Sequence, residues 1–131
     1  MSNENFSQIT VLMVDDESLM LSVLGSICSE LRVQKILKAH TAKQALQAHN
    51  QEKIDITFLD IEMPDQNGLL TLKEIKAINE NNYVLMLSGN GTLDNVKGAQ
   101  DAGANSFIVK PYSTKKIVKA LKQYLIYKEK S

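Results

Sequence analysis

The stretch IDITFLDIEMPDQNG, residues 54–68, determines the fold that we predict. Its first part, Ile54 to Leu59, is a short and nearly continuous apolar run, which is typical of a strand covered by helices on both faces. Similar runs recur along the chain. The five predicted strands are Ile9 to Val14, Lys35 to Ala39, Ile54 to Leu59, Tyr83 to Leu87, and Ser106 to Val109.

Helical periodicity separates most of these runs. In the first gap, five apolar residues fall on one side of a predicted helix: Leu19, Val23, Leu24, Ile27 and Leu31. The segment after the last strand shows the same pattern, with Ile117, Leu121, Tyr124 and Leu125. The gap between the last two strands is the one without a clear helical stripe. The order βαβαβαβαβα nevertheless predicts a parallel α/β sheet.

Right-handed crossovers between five parallel strands favour the order 2-1-3-4-5 with helices on both faces, a doubly wound, flavodoxin-like fold. In such a sheet, ligands bind beyond the carboxyl ends of strands one and three. A chain of 131 residues fits one domain. We therefore predict a single domain over residues 1–131, with a core from about residue 9 to about residue 127.

Charge and composition exclude several classes of protein. The 15 Lys and Arg residues balance 15 Asp and Glu residues, so no global field attracts nucleic acid or an anionic membrane. The longest apolar run has about six residues, whereas roughly 18 to 20 are needed to cross a bilayer. The lone Cys28 cannot form an internal disulfide, and the N-terminus lacks a secretion signal. We expect a cytoplasmic protein without nucleic-acid binding or membrane insertion.

Acidic residues end the first and third predicted strands. Asp15 and Asp16 follow strand one, and Asp60 follows strand three. A helix cap explains either strand end equally well when it is taken alone. Together, however, the acids repel, since two unit charges about 4 Å apart cost roughly 4 kcal/mol at an effective dielectric of about 20. A divalent cation relieves this repulsion, and oxygen donors favour Mg²⁺, with Mn²⁺ as an alternative.

The fourth and fifth strands bring a hydroxyl and an ammonium group to the same edge. Ser88 begins a small, glycine-rich loop, and Lys110 ends strand five. Pro111 restricts Lys110 to extended conformations and permits a cis bond that would aim its side chain. Taken alone, a plain turn and a solvated lysine explain these features. With the acids they form a set suited to phosphoryl transfer, in which Asp60 is the candidate nucleophile.

At these residues the chain resembles the receiver domain of two-component response regulators, and among them the single-domain chemotaxis type. The resemblance extends from about Thr10 to about Tyr127. Its motifs follow the order and spacing of the family. They are Val14-Asp15-Asp16, Asp60-Ile61-Glu62-Met63-Pro64 with Gly68, Ser88-Gly89, Gly103-Ala104 and Lys110-Pro111.

The resemblance implies that Asp60 accepts a phosphoryl group from a histidine kinase or phosphotransfer protein in a Mg²⁺-dependent reaction. Asp16, Asp60 and the main-chain carbonyl of Glu62 would bind the metal, and Asp15 would act on it through water. By the same resemblance, Gly68 and Pro111 occupy structural positions. We expect Asn67, which stands where the family often has Asp, to cap the following helix.

The resemblance also implies how phosphorylation is read. Ser88 and Lys110 would each bind a phosphoryl oxygen, and Phe107 occupies the position of the aromatic switch. Binding of a downstream protein target would change on the face formed by strand four, helix four, strand five and helix five. Glu62 and Asn90 match variable positions beside the path of hydrolytic water, and we hypothesise that they set the lifetime of the phosphorylated form.

Rival functions share some of these features. An aspartate-based phosphohydrolase of the haloacid-dehalogenase pattern has a second Asp two residues after the nucleophile, where this chain has Glu62. A flavodoxin-like electron carrier binds phosphate after strand one, where this chain has acids. A phosphorylation-independent interaction module does not need the full polar set. We predict a phospho-acceptor signalling protein, a monomer or weak dimer, which is not an enzyme beyond self-phosphotransfer and autodephosphorylation.

Overall fold

The structure is a computed structural model that describes residues 6–110 and 112–130. Within these ranges, five strands and five helices alternate. The strands are β1 (Thr10–Val14), β2 (Lys35–Ala39), β3 (Ile56–Asp60), β4 (Tyr83–Ser88) and β5 (Ser106–Val109). The helices are α1 (Ser18–Glu30), α2 (Ala42–Gln51), α3 (Gly68–Ile78), α4 (Leu93–Asp101) and α5 (Thr114–Glu129). Pro111, with its predicted structural role, lies outside the described residues.

The strands form one parallel sheet in the order β2-β1-β3-β4-β5, which confirms the predicted topology. The ends of the strands differ slightly from the predicted ones. β1 begins at Thr10 rather than Ile9, and β3 begins at Ile56. Asp60 and Ser88 are the last residues of β3 and β4, so the hydrogen-bonded sheet fixes the backbone of both residues.

Two apolar clusters cover the two faces of the sheet. Every residue of β3 and of β4 is buried, as expected for central strands with helices on both sides. Leu24 of α1 and Leu121 of α5 pack with the sheet in the first cluster. Leu72 of α3 and Ala99 of α4 pack in the second cluster, together with Ala45 of α2. The predicted helices on both faces are therefore confirmed.

Helix α1 corrects one prediction. Leu19 was expected on the buried side, but 68% of it is exposed, whereas Leu21, Leu24 and Cys28 are buried. Leu19 lies two residues before Leu21, about 200° around the helix, and therefore faces away from the sheet. The periodic spacing found the helix but assigned its first apolar residue to the wrong side.

Helix α4 accounts for the gap that lacked a helical stripe in the sequence. Of its nine residues, all of them described, only Ala99 is buried. A helix that reaches the core through one alanine leaves no apolar pattern for the sequence to show. Its start is set locally, because the Thr92 hydroxyl accepts the Asn95 N–H at 3.3 Å.

Side chains that precede α2, α3 and α5 satisfy free N–H groups in the first turns of these helices. Asn67 accepts the Leu69 N–H at 2.7 Å, which confirms the predicted cap of α3. Thr41 and Ser113 cap α2 and α5 in the same way. Within the described chain, none of the helices has the length and apolarity that crossing a membrane requires.

Candidate functional site

Three carboxylates lie at the carboxyl edge of the sheet. Asp15 and Asp16 directly follow β1, and Asp60 ends β3. One carboxylate oxygen from each residue lies within 4.8 Å of the other two. Asp15 and Asp60 are buried, with 1% and 3% exposed, whereas Asp16 is exposed. The predicted convergence of the acids is confirmed, with two charges facing the interior and one facing solvent.

Asp15 is held on both of its oxygens. Oδ1 accepts the N–H of Glu17 at 2.9 Å. Oδ2 accepts the Lys110 ammonium at 2.9 Å and the Tyr112 hydroxyl at 3.4 Å. These donors come from the segment after β1 and from the segment after β5. The carboxylate therefore joins the two strand ends.

Asp16 is not a helix cap. Helix α1 begins at Ser18, its cap residue is Glu17, and the Glu17 side chain makes no capping hydrogen bond. The Asp16 side chain is exposed, and its carboxylate lies in the acidic cluster. Capping therefore does not explain why an acid stands at this position.

Asp60 is a buried acid that faces a cation. Its Oδ1 accepts the Glu62 N–H at 3.2 Å, and its Oδ2 lies 3.4 Å from Lys110 Nζ. Burial and the charge of Asp15 raise the pKa of Asp60 to about 6, although the Glu62 N–H and Lys110 act in the opposite direction. Repulsion among the acids is therefore partly relieved by a raised pKa and partly by Lys110.

Lys110 lies among the acids rather than in solvent. Its ammonium is 2.9 Å from Asp15, 3.4 Å from Asp60 and 4.0 Å from Glu17. Burial lowers the pKa of Lys110, but the hydrogen bond and charge of Asp15 and the charge of Asp60 outweigh this effect and raise it overall. The lysine is therefore protonated, and the predicted approach of its ammonium to the acids is confirmed.

Gly68 lies against the end of β3. A Cβ atom at this position would be 2.3 Å from the carbonyl oxygen of Asp60 and 2.6 Å from Cα of Ile61. The Gly68 N–H donates to the carbonyl oxygen of Ile61 at 2.6 Å. Only glycine allows the start of α3 to pack directly on the backbone that positions Asp60.

The Ser88 hydroxyl is fully buried at the end of β4. It accepts the Asn90 N–H at 3.0 Å. Two acceptors compete for its single proton, the carbonyl oxygen of Asn90 at 3.0 Å and Oε1 of Glu62 at 3.4 Å. The Asn95 side-chain amide also donates to the Asn90 carbonyl at 2.9 Å, which links this loop to the first turn of α4.

Three other predicted site residues lie around this centre. Glu62 and Asn90 are exposed, and each contacts Ser88. Phe107 is half-buried on β5, pairs in register with Met86, and packs with the second apolar cluster. The structure thus brings Glu62 and Asn90 to the rim of the site, while the Phe107 ring belongs to the apolar packing beside it.

The donor atoms suit a hard divalent cation. The candidate ligands of the cluster are carboxylate oxygens of Asp15, Asp16 and Asp60, close enough together to contact one ion. Magnesium prefers oxygen ligands and is commonly held by one or two carboxylates together with water. The residues present therefore fit the predicted Mg²⁺ site.

Comparison with known proteins agrees with this geometry. Residues 11–122 match the family described as the response regulator receiver domain. The chain belongs to this family. The receiver domain is 35% identical to chemotaxis protein CheY of Thermotoga maritima over 111 residues, which cover 85% of this chain and 92% of the relative. It is 31% identical to CheY of Bacillus subtilis over 115 residues, which cover 88% and 96%.

Solved structures show the same architecture. A CheY-like receiver domain from Methanospirillum hungatei has a TM-score of 0.88 and 26% identity, with 95% of this chain and 98% of that chain covered. CheY in the complex of CheX, CheY, BeF₃ and Mg²⁺ from Borrelia burgdorferi has a TM-score of 0.85 and 30% identity, with 89% of both chains covered. Receiver domains of the CheY type are signalling proteins.

The receiver domain also has site contacts that the sequence did not reveal. Tyr112 is half-buried, and its phenol reaches Asp15. Burial and the charges of Asp15 and Asp60 raise the pKa of Tyr112, so the phenol keeps its proton and can donate. The only indication of this contact in the sequence is that Tyr112 lies two residues after Lys110. An aromatic residue near a strand end, however, usually indicates ordinary apolar packing.

Asp65 provides a second unforeseen contact. Its carboxylate accepts the N–H groups of Ala42 and Lys43 at 3.0 and 3.3 Å, at the start of α2. The hydrogen bond from Ala42 is the main reason that the pKa of Asp65 is lowered. This contact fixes the loop between β3 and α3, and nothing in the local sequence indicates a partner 23 residues away.

Proposed function

We propose that this receiver domain accepts a phosphoryl group on Asp60 from a histidine kinase or phosphotransfer protein, in a Mg²⁺-dependent reaction. The supporting observation is the position of Asp60. Its carboxylate is buried within the acidic cluster, and its Oδ2 lies 3.4 Å from the ammonium group of Lys110. Asp15 already accepts three hydrogen bonds, and Asp16 faces solvent. Asp60 is therefore the best candidate for the nucleophile.

The proposed transfer forms an acyl-phosphate. A carboxylate oxygen of Asp60 attacks phosphorus, the bond from phosphorus to the donor's histidine nitrogen breaks, and that nitrogen leaves with the electron pair. Asp16, Asp60 and the Glu62 carbonyl would hold Mg²⁺, and Asp15 would reach it through water. The metal would supply positive charge that neutralises the transferred oxygens. Lys110 would bind one phosphoryl oxygen from its place beside Asp60.

The proposed switch begins at Ser88. Its hydroxyl would leave the Asn90 carbonyl or Glu62 and donate to a phosphoryl oxygen, and the Phe107 ring would move into the vacated space. Reversing a two-state population from 1:99 to 99:1 takes about 5.5 kcal/mol. Two or three charge-assisted hydrogen bonds at about 1.5 to 3 kcal/mol each supply this free energy. The face formed by β4, α4, β5 and α5 would then bind a downstream protein.

The lifetime of the phosphorylated form is proposed to depend on Glu62 and Asn90. Both are exposed at the rim of the site, where water approaches, and both contact Ser88. Exchanging Glu62→Asn or Asn90→Glu should change the rate of autodephosphorylation, measured by the decay of the acyl-phosphate. An unchanged rate in both variants would refute this part of the proposal.

The cellular setting is also a proposal. We infer a single domain over residues 1–131 that acts in the cytoplasm as a monomer or weak dimer, without nucleic acid. The balanced charge of the chain supports the absence of nucleic-acid binding. The Borrelia burgdorferi CheY occurs in a complex with CheX. By analogy, the output of this domain is contact with another protein.

The deciding experiment supplies the protein with Mg²⁺ and a small acyl-phosphate donor, and measures the intact mass. Wild type and the control Asp101→Asn, an exposed acid of α4, should each gain one phosphoryl group. Asp60→Asn should gain none at that position, and peptide mapping should place the adduct on Asp60 in the wild type. An adduct that maps to another residue in the wild type, or no adduct in the wild type, would contradict the proposal.

A further inference from the structure

We propose that the phenol of Tyr112 is a positioning group that orients Asp15 for magnesium and remains on it when Lys110 moves toward a phosphoryl group. This inference rests on the proposed function, because it concerns the metal that the phosphoryl transfer needs. Tyr112 itself contacts neither metal nor phosphorus in this scheme. It acts through Asp15.

The two carboxylate oxygens of Asp15 accept hydrogen bonds from different donors. The Glu17 N–H fixes Oδ1 at 2.9 Å, while Lys110 and Tyr112 both donate to Oδ2, at 2.9 and 3.4 Å. Asp15 is only 1% exposed, so the protein supplies most of the hydrogen-bond donors that hold its carboxylate, and losing one of them is costly. The orientation of this carboxylate therefore depends on these three donors.

Lys110 is the donor that would move. Its ammonium already lies 3.4 Å from Asp60 Oδ2, and a phosphoryl group on Asp60 adds up to about two negative charges there. The ammonium would then turn toward phosphorus and give up its hydrogen bond to Asp15. Tyr112 would remain as the donor on Oδ2, and it would keep the carboxylate directed at the metal.

Apolar packing, rather than the hydroxyl, holds the Tyr112 ring in place. The ring is half-buried and packs against the first apolar cluster, which fixes its position. Phenylalanine would pack in the same place but could not donate a hydrogen bond. The hydroxyl can thus be removed without disturbing the core.

The test compares Tyr112→Phe with Tyr124→Phe. The control is closely matched, because the Tyr124 hydroxyl also lies 3.4 Å from an aspartate oxygen, that of Asp55, which stands before β3 at the opposite edge of the sheet. Isothermal titration with Mg²⁺ alone should show affinity about tenfold weaker in Tyr112→Phe, as is typical when a group that orients a metal ligand is lost. Tyr124→Phe should bind Mg²⁺ like the wild type.

A second measurement separates positioning from general stability. With carbon-13 in the phenol carbon of tyrosine, Mg²⁺ should shift the Tyr112 signal and leave the Tyr124 signal unchanged. Equal or tighter Mg²⁺ binding by Tyr112→Phe, or an equal loss in both variants, would overturn the inference. These readouts need no phosphoryl donor, so they decide whether Tyr112 positions Asp15 for magnesium even if Asp60 proves not to be the acceptor.

Discussion

The Lys110 ammonium lies 2.9 Å from Oδ2 of Asp15, although the two residues are 95 positions apart in the sequence. The same ammonium lies 3.4 Å from Asp60, so one cation is shared by two buried carboxylates. The shared cation stabilises the acids, but it also repels any metal that binds to them. The Lys110 ammonium and a metal ion therefore compete for the same carboxylates, and the effect of substitutions on metal affinity can be predicted.

Replacing Lys110 with methionine should tighten the binding of Mg²⁺. The substitution removes a positive charge from the acidic cluster and frees Asp15 Oδ2 from its closest donor. Two unit charges about 4 Å apart repel by roughly 4 kcal/mol at an effective dielectric of about 20, so a gain in affinity of about tenfold or more is expected. Titration calorimetry at pH 8 measures it, with the exposed Lys115→Met as the control. Weaker binding would show that the lysine helps to assemble the metal site.

Replacing Asp60 with asparagine should stabilise the metal-free protein at neutral pH. The pKa of Asp60 is raised from 3.8 to about 6, so ionisation of Asp60 destabilises the folded protein. This penalty is complete above pH 6 and disappears as the pH falls toward about 4. The variant should gain about 1 to 3 kcal/mol at pH 7.5 and much less at pH 4.5. Urea denaturation in a chelating buffer tests this, and a gain independent of pH would contradict it.

Acidification should destabilise the protein through His49. Its ring is hydrogen-bonded to the Thr57 hydroxyl at 2.9 Å, and burial lowers the pKa of His49 from 6.5 to about 4. As the pH falls, His49 is protonated in the unfolded chain before it is protonated in the folded protein. The contribution of neutral His49 to the free energy of unfolding is therefore complete above pH 6.5 and is lost as the pH falls toward 4. The loss should be on the order of 1 to 2 kcal/mol, allowing for partial exposure.

The control for this effect is the other histidine. His49→Gln should show a smaller loss of stability between pH 7 and pH 4.5 than the wild type, whereas the exposed His40→Gln should follow the wild type. Urea denaturation at several pH values measures both variants. If His49→Gln kept the full pH dependence, the lowered pKa of His49 could not be its source.

Replacing Gly68 with alanine should be strongly destabilising. The new Cβ would meet the Asp60 carbonyl at 2.3 Å and the backbone of Ile61, and neither can move without distorting the end of β3. A loss of about 2 to 4 kcal/mol is expected from this backbone clash. Gly89→Ala is the matched control, since no atom outside its immediate neighbours lies within 4 Å of a Cβ there. Similar unfolding midpoints for the two variants would exclude the clash.

The sequence was sufficient to predict the sheet and the acidic edge. Each strand is a short apolar run, and the topology of a parallel sheet brings the ends of such runs together. The sequence alone therefore places Asp15, Asp60 and Lys110 near one another. Helix α4 was indistinct because Ala99 is its single buried residue among nine described ones, and Leu19 was assigned to the wrong side of α1.

The hydrogen bonds between loops could not be predicted. Asp65 reaches the first turn of α2, and Tyr112 reaches Asp15 across 97 positions. Both contacts depend on the exact course of two loops, which apolar periodicity does not constrain. The hydrogen bond donated by Ser88 is a third example. Which of its two acceptors, Glu62 or the Asn90 carbonyl, receives the proton depends on the rotation of a single hydroxyl group.

Because the polar residues of the site lie at or just beyond the carboxyl ends of strands, the opposite edge of the sheet is available for engineering. The loop between α3 and β4 lies at that opposite edge, and Glu80 and Asn81 are exposed there. A fluorescent reporter or an immobilisation tag inserted between these two residues would stand one strand length away from the chemistry. The insertion would allow real-time recording of metal and phosphoryl binding without an attachment near the acids.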